Sequence, residues 1–95
     1  MKFEDIKFGP NHFGGVVAQV ELKDNMLLSI VAGSMAYSTP RKNFSDPKDF
    51  TSFEIAIFDD GGEFVTRDHI SDLEDDVKGW VSREEILEII KKLAK

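Results

Sequence analysis

The stretch SDLEDDVKGWVSREE, residues 71–85, places six carboxylates among fifteen residues. Carboxylates at alternate positions are the ligands that a calcium loop uses, and such a spacing begins at Asp72. The calcium template then fails, because Val77 stands where the loop needs glycine and Arg83 stands where it needs a bidentate glutamate. We therefore expect no metal ion at these residues.

The other polar residues do not form a recognisable catalytic set. The two histidines, His12 and His69, are far apart, so a zinc site would need carboxylates for most of its ligands. There is no cysteine, which excludes a cysteine nucleophile and a disulfide. The glycine pairs in NHFGG and DDGG lack the spacing of a phosphate-binding loop and favour turns instead. We expect a protein that is not an enzyme and that binds no cofactor.

Helix chemistry offers one explanation for the carboxylates. Ser71 and Glu74 have the spacing of a capping box, which would begin a helix at Asp72. Carboxylates in a first helical turn are favoured by about 0.3–1 kcal/mol each, and Gly79 suits the end of such a helix. The sequence therefore predicts a short helix over residues 72–78. The alternative is an acidic face that docks on a basic partner surface, formed by Asp72, Glu74, Asp75 and Asp76.

Three aromatic residues are candidates for contacts with a partner. Trp80 lies between the two predicted helices, where it either fills a gap against the sheet or anchors a partner. Tyr37 and Phe44 belong to a polar segment with two prolines, residues 37–50, which predicts a long loop between strands. Their rings are either core residues or part of a contact surface. With the four acids, Trp80, Tyr37 and Phe44 are the predicted partner-binding residues.

The charge distribution limits the class of partner. The net charge is −6, and residues 59–76 alone carry −7, against −1 for residues 1–58 and +2 for residues 77–95. No basic stripe is present, so direct binding to nucleic acid is not expected. No segment approaches the roughly 20 apolar residues of a membrane helix, and no signal peptide is recognisable at the start. We expect a cytoplasmic protein without membrane contacts.

Alternating apolar residues predict the strands that would position these groups. The predicted strands are residues 2–8, 15–23, 26–33, 52–58 and 63–66. Asp24 and Asn25 tolerate positive φ and predict a tight hairpin turn between the second and third strands. The DDGG sequence predicts a turn after residue 58. Residues 52–58 are apolar on both sides, which favours a position inside the sheet.

The last helix carries the most complete set of local signals. Ser82 and Glu85 have capping-box spacing, and Val81 with Ile86 form a hydrophobic staple. Its apolar stripe is expected to pack on Val16, Val20, Ile30, Ile55 and Ile57. The sequence thus predicts one α+β domain over residues 1–95: a four- to five-stranded, mainly antiparallel sheet, packed on one face by a C-terminal helix that a short helix precedes.

The order of the segments FGGVVAQVEL, LLSIVAGSMAYS, FEIAIFD and DDVKGWVSREEI resembles a group of small uncharacterised proteins encoded by tailed bacteriophages and prophages. The closing pattern of that group, Asp-Asp-Val-x-Gly-aromatic-x-Ser, is matched by residues 75–82. The chain departs from the group at Asp24-Asn25, where the group carries Asn-Gly, and in a longer loop at residues 37–51. The resemblance implies a phage or prophage origin, and so a bacterial host cytoplasm, but no particular activity.

We therefore expect a small non-catalytic protein that binds and modulates a host or phage protein. One alternative is a small-molecule binder or small enzyme with its site between the 37–50 loop and the sheet. Another is a minor component of a virion or its assembly. The pattern favours no particular oligomeric state.

Overall fold

The computed structural model describes all residues 1–95 and confirms the α+β fold. Five antiparallel strands lie side by side in chain order. The strands are β1 (Gly9–Pro10), β2 (Val16–Glu21), β3 (Leu27–Ala32), β4 (Phe53–Phe58) and β5 (Lys78–Val81). The helices are α1 (Thr66–His69) and α2 (Arg83–Leu93), and three short 3-10 segments lie at Phe3–Asp5, Lys23–Asn25 and Pro47–Asp49.

The predicted hairpin between β2 and β3 is confirmed. Its strands pair from Val16 opposite Ala32 to Glu21 opposite Leu27. Asp24 and Asn25 have φ values of 57° and 60°, and the Met26 N–H closes the turn on the Lys23 carbonyl oxygen at 3.1 Å. Because Asp and Asn are the non-glycine residues that best tolerate positive φ, the turn sequence fits this geometry.

The core lies between one face of the sheet and α2. The buried members of the α2 stripe are Ile86, Ile90 and Leu93, as the spacing predicts. They join a single buried cluster with even-numbered residues of β2 and β3 and odd-numbered residues of β4. Four of the predicted partners belong to this cluster, Val16, Ile30, Ile55 and Ile57, and Val20 packs at its margin. Complete burial of one such side chain contributes about 1.5–3 kcal/mol.

One of the two hydrogen bonds of the predicted capping box forms at the start of α2. The Ser82 Oγ accepts a hydrogen bond from the Glu85 N–H at 3.1 Å. The Glu85 carboxylate does not reach back to the cap; it pairs with the Lys78 ammonium on β5 instead. The helix is therefore tied to the neighbouring strand by a charge pair as well as by its apolar stripe.

The predicted strand at residues 63–66 is wrong except for a single bridge between Phe58 and Phe64. The DDGG turn before it forms, with the Asp59 carboxylate accepting two backbone N–H groups. Thr66 then ends the pairing, because its buried hydroxyl accepts the Ile57 N–H at 2.9 Å, and the chain enters α1. A side chain here replaces the backbone partner that a strand would supply.

The predicted strand at residues 2–8 is also wrong. Phe3–Asp5 form a 3-10 turn, and only Gly9–Pro10 pair with β2. Phe3 and Phe8 pack against the buried ring of Phe53, with centroids 5.2 and 5.8 Å away. The N-terminal segment thus covers the end of the core with aromatic rings instead of extending the sheet.

The short helix that precedes α2 lies at Thr66–His69, and the prediction of a helix at residues 72–78 is wrong. Residues 71–77 form turns and bends, and Asp72 has a φ of 60°, which a right-handed helix excludes. The Asp75 carboxylate accepts the Asp76 N–H at 2.8 Å, a local bond that competes with helix formation. Residues 78–81 are extended because they pair with β4. The helix-dipole explanation therefore fails for the acids of residues 72–76.

Candidate partner-binding site

A β-bulge in β5 sets the geometry of the candidate site. Phe53 pairs with Val81 and Ile55 pairs with Lys78, so the two residues Gly79 and Trp80 lie opposite the single residue Glu54. Such a bulge re-aims side chains by shifting the alternation of the strand. Lys78 and Val81, three residues apart, consequently lie on the same side of the sheet, where Lys78 meets α2 and Val81 enters the core.

Trp80 lies outside the core as a result of this bulge. Its side chain is 61% exposed, and its φ of 52° is a left-handed conformation that is costly for a bulky side chain. Neither the exposure nor the strain is explained by packing of the core. Strained non-glycine residues of this kind concentrate at functional sites.

Tyr37 and Arg41 complete a stack on Trp80. The Tyr37 and Trp80 rings lie 5.2 Å apart at 29°, and the Trp80 N–H donates to the Tyr37 carbonyl oxygen at 2.9 Å. The Arg41 guanidinium lies over the Tyr37 ring, 5.3 Å from its centroid. The stack and the cation–π contact each contribute about 0.5–1.5 kcal/mol. The start of the 37–50 loop and the bulge thus present one stacked aromatic surface.

Residue 79 must be glycine, because Tyr37 packs directly against its backbone. A Cβ atom on Gly79 would lie 2.6 Å from the Tyr37 Cβ, below any normal contact distance. The predicted function of Gly79 as a helix end is wrong, since it lies within β5. Its lack of a side chain is what allows the loop to lie against the bulge.

The face of the sheet opposite α2, called the open face here, combines five apolar and four polar residues. Three cross-strand rows form it: Val17, Val31 and Glu54; Gln19, Ser29 and Ala56; Glu21, Leu27 and Phe58. The hydrophobic residues that flank α1, Val65 and Ile70, pack against the core cluster on the other side. Neither helix covers the open face.

Five exposed large apolar side chains border the open face. Tyr37 and Trp80 lie beside Glu54, whose carboxylate accepts the Tyr37 N–H at 3.0 Å. Phe64 packs against Phe58, with centroids 4.6 Å apart. Phe13 and Met35, both more than two-thirds exposed, line one shallow cavity with Val31 and Glu54. The rim is thus Phe13, Met35, Tyr37, Phe64 and Trp80, and a concentration of exposed large apolar side chains is typical of interaction sites.

The predicted acidic residues lie in the loop that leads into β5. Asp72, Glu74 and Asp75 are exposed, and Asp76 is partly exposed beside Arg67 at 3.7 Å. None of these carboxylates makes a hydrogen bond or ion pair with the Trp80–Tyr37 stack. A second acidic group, Asp59, Asp60 and Glu63, occupies the turn between Phe58 and Phe64.

Phe44 is separate from the Trp80 stack. Its ring packs 5.9 Å from Phe50, which is fully buried, and about a third of Phe44 remains exposed. Phe50 is held in place in turn, since its carbonyl oxygen accepts a hydrogen bond from Arg83 at 2.6 Å. Phe44 therefore helps to fix the 37–50 loop on the domain.

Sequence reasoning missed Phe13, Met35 and Phe64 as members of the rim. Phe13 and Met35 lie in turns beside the sheet, and Phe64 lies where a strand was expected. One signal was present in the sequence: residues 26–33 are apolar at odd as well as even positions, which implies an apolar surface on both sides of that strand.

The charged groups of the surface form few strong interactions. Lys95 donates to the Glu21 carboxylate, and this hydrogen bond with the adjacent positive charge holds the pKa of Glu21 below its ordinary value of 4.5. No group of three or more His, Asp or Glu side chains has the arrangement of a metal site. His12 packs edge-on against Phe13, with centroids 5.0 Å apart. None of the helices has the length and apolar character needed to cross a membrane.

Comparison with known proteins gave no relatives. No family model, no curated protein and no solved structure matches the chain.

Proposed function

We propose that the chain is a non-catalytic binding protein whose open face docks on a basic protein partner, with Trp80 and Tyr37 as the anchors of the interface. The observation that carries this proposal is the exposure of Trp80 in a strained, bulged strand beside a sheet face that neither helix covers. Aromatic residues at the centre of a packed contact supply much of the affinity of protein interfaces.

Charge complementarity supports a basic partner. The chain carries a net charge of −6, and acids lie in the turn beside Phe58 and Phe64 and in the loop before β5. Arg41 adds one positive charge at the stack. A partner with an apolar patch bordered by Lys and Arg would match both features, and a second copy of this chain would bring like charges together. Such charges steer association and set its salt dependence.

The proposed setting is a bacterial cytoplasm, with the partner a host or phage protein that the chain modulates. The resemblance of the four sequence segments to proteins of tailed phages supports this setting. The acids of the 59–63 turn and of the loop before β5 also suit a partner surface that otherwise holds nucleic acid, because such surfaces are rich in Lys and Arg.

The proposal is tested by affinity capture from bacterial lysate at low and high salt, with wild-type chain and the Trp80→Ser variant as bait. The captured protein is identified, purified and titrated by calorimetry. We expect a basic protein that binds wild type in a defined stoichiometry, and at least tenfold weaker binding to Trp80→Ser, since an interface anchor contributes about 2 kcal/mol or more.

Phe44→Leu is the matched control, because Phe44 is a partly exposed aromatic that lies against Phe50 and not on the open face. Equal binding of wild type, Phe44→Leu and Trp80→Ser would contradict the proposal. An acidic partner, or affinity that rises with salt, would contradict the charge argument.

A further inference from the structure

A cavity of about 160 Å³ lies at the border of the open face, between the turn that follows β1 and the turn that follows β3. Phe13 on the first turn and Met35 on the second line it, together with Val31 of β3. Glu54 of β4 is the one charged residue of the lining. The cavity thus combines apolar walls with a single negative charge.

Backbone contacts hold the two turns that form the cavity. A Cβ atom on Gly15, at the end of the first turn, would overlap the carbonyl oxygen of Ala32, at the start of the second. The second turn is also tied to the 37–50 loop, because the Ser34 N–H donates to the Asn43 Oδ1 at 2.8 Å. The walls are therefore in place before any ligand binds, which lowers the entropic cost of binding.

The Glu54 carboxylate has one oxygen that is free to bind a ligand. Its Oε1 accepts the Tyr37 N–H at 3.0 Å. Its Oε2 accepts no hydrogen bond and is not buried, and no cationic group of the chain lies within ion-pair distance of Glu54. Because the side chain is half-buried among apolar groups, it attracts a cation more strongly than a fully solvated carboxylate does.

We infer that this cavity accepts a lysine side chain of the protein partner, so the inference rests on the proposed function. The aliphatic stem of the lysine lies along Phe13, Val31 and Met35, and its ammonium donates to the Glu54 carboxylate. Long cationic side chains commonly pair an apolar stem with a charged head in this way. The basic character expected of the partner supplies such a residue.

The free oxygen of Glu54 favours lysine over arginine. A guanidinium gains most from two parallel hydrogen bonds to both oxygens of a carboxylate, whereas an ammonium acts as a point charge. At Glu54 one of the two oxygens already holds the Tyr37 N–H. Arg41 lies over the Tyr37 ring and makes no ion pair with Glu54, so the negative charge stays available to the partner.

The site is tested with small probes and the methyl signal of Met35 in carbon-13 NMR spectra of the full chain. The probes are butylammonium, 1-butanol and butylguanidinium, and the core residue Met26 serves as an internal reference. We expect butylammonium to shift the Met35 signal in a saturable way, and the other two probes to bind at least about threefold more weakly. A Met35 signal that butylammonium leaves in place, or equal binding of 1-butanol, would overturn the site. Tighter binding of butylguanidinium would overturn the choice of lysine.

A charge variant tests the function of Glu54 directly. Glu54→Gln keeps a side-chain oxygen that can accept the Tyr37 N–H, but it removes the negative charge. We expect this variant to bind butylammonium at least about fivefold more weakly than wild type. Glu88→Gln makes the same charge change on α2, outside the cavity, and should leave binding unchanged. Equal affinities of the two variants would contradict the inference.

Titration of the same variants with the purified partner separates this inference from the proposed function. Weaker partner binding by both Trp80→Ser and Glu54→Gln would support both. Partner binding that depends on Trp80 and not on Glu54 would overturn the lysine site and leave the proposed function intact. Saturable binding of butylammonium to a chain that captures no basic partner would support the cation site and contradict the proposed function.

Discussion

The indole of Trp80 stacks on the ring of Tyr37 with centroids 5.2 Å apart, and the same two residues share a backbone hydrogen bond of 2.9 Å. This double contact joins the bulge of β5 to the start of the 37–50 loop. It places a Trp with left-handed backbone conformation at the border of the open face. A rigid aromatic surface loses little conformational entropy on binding, which is the property of an interface anchor.

Substitutions of Trp80 should separate stability from binding. Trp80→Ala keeps a side chain in the left-handed conformation, whereas Trp80→Gly removes that strain. We expect Trp80→Gly to be more stable than Trp80→Ala by about 1 kcal/mol in urea unfolding followed by circular dichroism. Both variants should lose partner binding. A less stable glycine variant would show that the strain at this residue is not relieved.

Gly79→Ala should disturb the stack while both aromatic residues, Tyr37 and Trp80, are retained. The added Cβ would meet the Tyr37 Cβ at 2.6 Å, so we expect a loss of about 1–3 kcal/mol in the free energy of unfolding. The emission of Trp80, the single Trp of the chain, should change in the folded state. Gly9→Ala is the control, because a Cβ there meets nothing within 4 Å. Equal stabilities of the two variants would contradict the close packing of Tyr37 on Gly79.

Thr66→Val should destabilise the protein, because β4 depends on the Thr66 side chain for a hydrogen bond. The Thr66 hydroxyl is buried and accepts the Ile57 N–H at 2.9 Å, so the substitution leaves a buried donor unpaired. We expect a loss of about 1–3 kcal/mol in thermal or urea unfolding. Ser52→Ala removes a hydroxyl that pairs with Thr39 at an exposed site and should change stability by less than about 0.5 kcal/mol. A valine variant as stable as wild type would contradict this assignment.

Acids beside the open face should affect partner binding more than acids on α2. Asp60→Lys and Glu88→Lys change the net charge equally, but Asp60 lies in the turn between Phe58 and Phe64. We expect Asp60→Lys to slow association with a basic partner several-fold at low salt, and Glu88→Lys to have a smaller effect. Stopped-flow measurements at several salt concentrations would check this. Equal association rates of the two variants would remove the steering argument.

The pH dependence of one surface pair follows from its geometry. Lys95 lowers the pKa of Glu21 in the folded state, so the pair adds stability above the unfolded pKa of Glu21. This contribution is lost as the pH falls through the folded pKa. Titration of the Glu21 carboxyl by NMR should give a value below 4.5 in wild type and a higher value in Lys95→Met. Lys92→Met is the control, and an equal rise there would contradict the assignment.

The parts of the fold that could be predicted depend on local signals that agree. The β2–β3 hairpin follows from alternation and from Asp24-Asn25, and α2 follows from its cap at Ser82 and its apolar stripe. In both elements the residues that set the local conformation also face the core. Pairing with the rest of the molecule then reinforces the local preference instead of opposing it.

The segment at residues 71–79 shows why the remainder could not be predicted. Ser71 and Glu74 carry a local helix signal, but residues 78–81 gain more from pairing with β4, and the chain before them must turn to reach that strand. The bulge at Gly79 and Trp80 depends on Glu54 and Tyr37, which are distant in sequence. The sequence indicated Trp80, Tyr37 and Phe44 as candidates for partner contacts. Only the fold shows that Trp80 and Tyr37 form a surface stack and that Phe44 anchors the loop.

The open face was not predicted for a related reason. Val17, Leu27 and Val31 are apolar like the core residues of the opposite face. The sequence does not show that α2 covers one face of the sheet and that no helix covers the other. The exposed rim residues Phe13, Met35 and Phe64 come from three separate loops, so no spacing in the sequence connects them.

The most direct test of the account is an NMR footprint of the nitrogen-15-labelled chain with the purified partner. We predict that the amide signals of Val17, Val31, Glu54 and Trp80 shift or broaden on binding, while those of the exposed residues Glu88 and Lys91 on α2 stay unchanged. A footprint on α2 with an undisturbed open face would contradict the account.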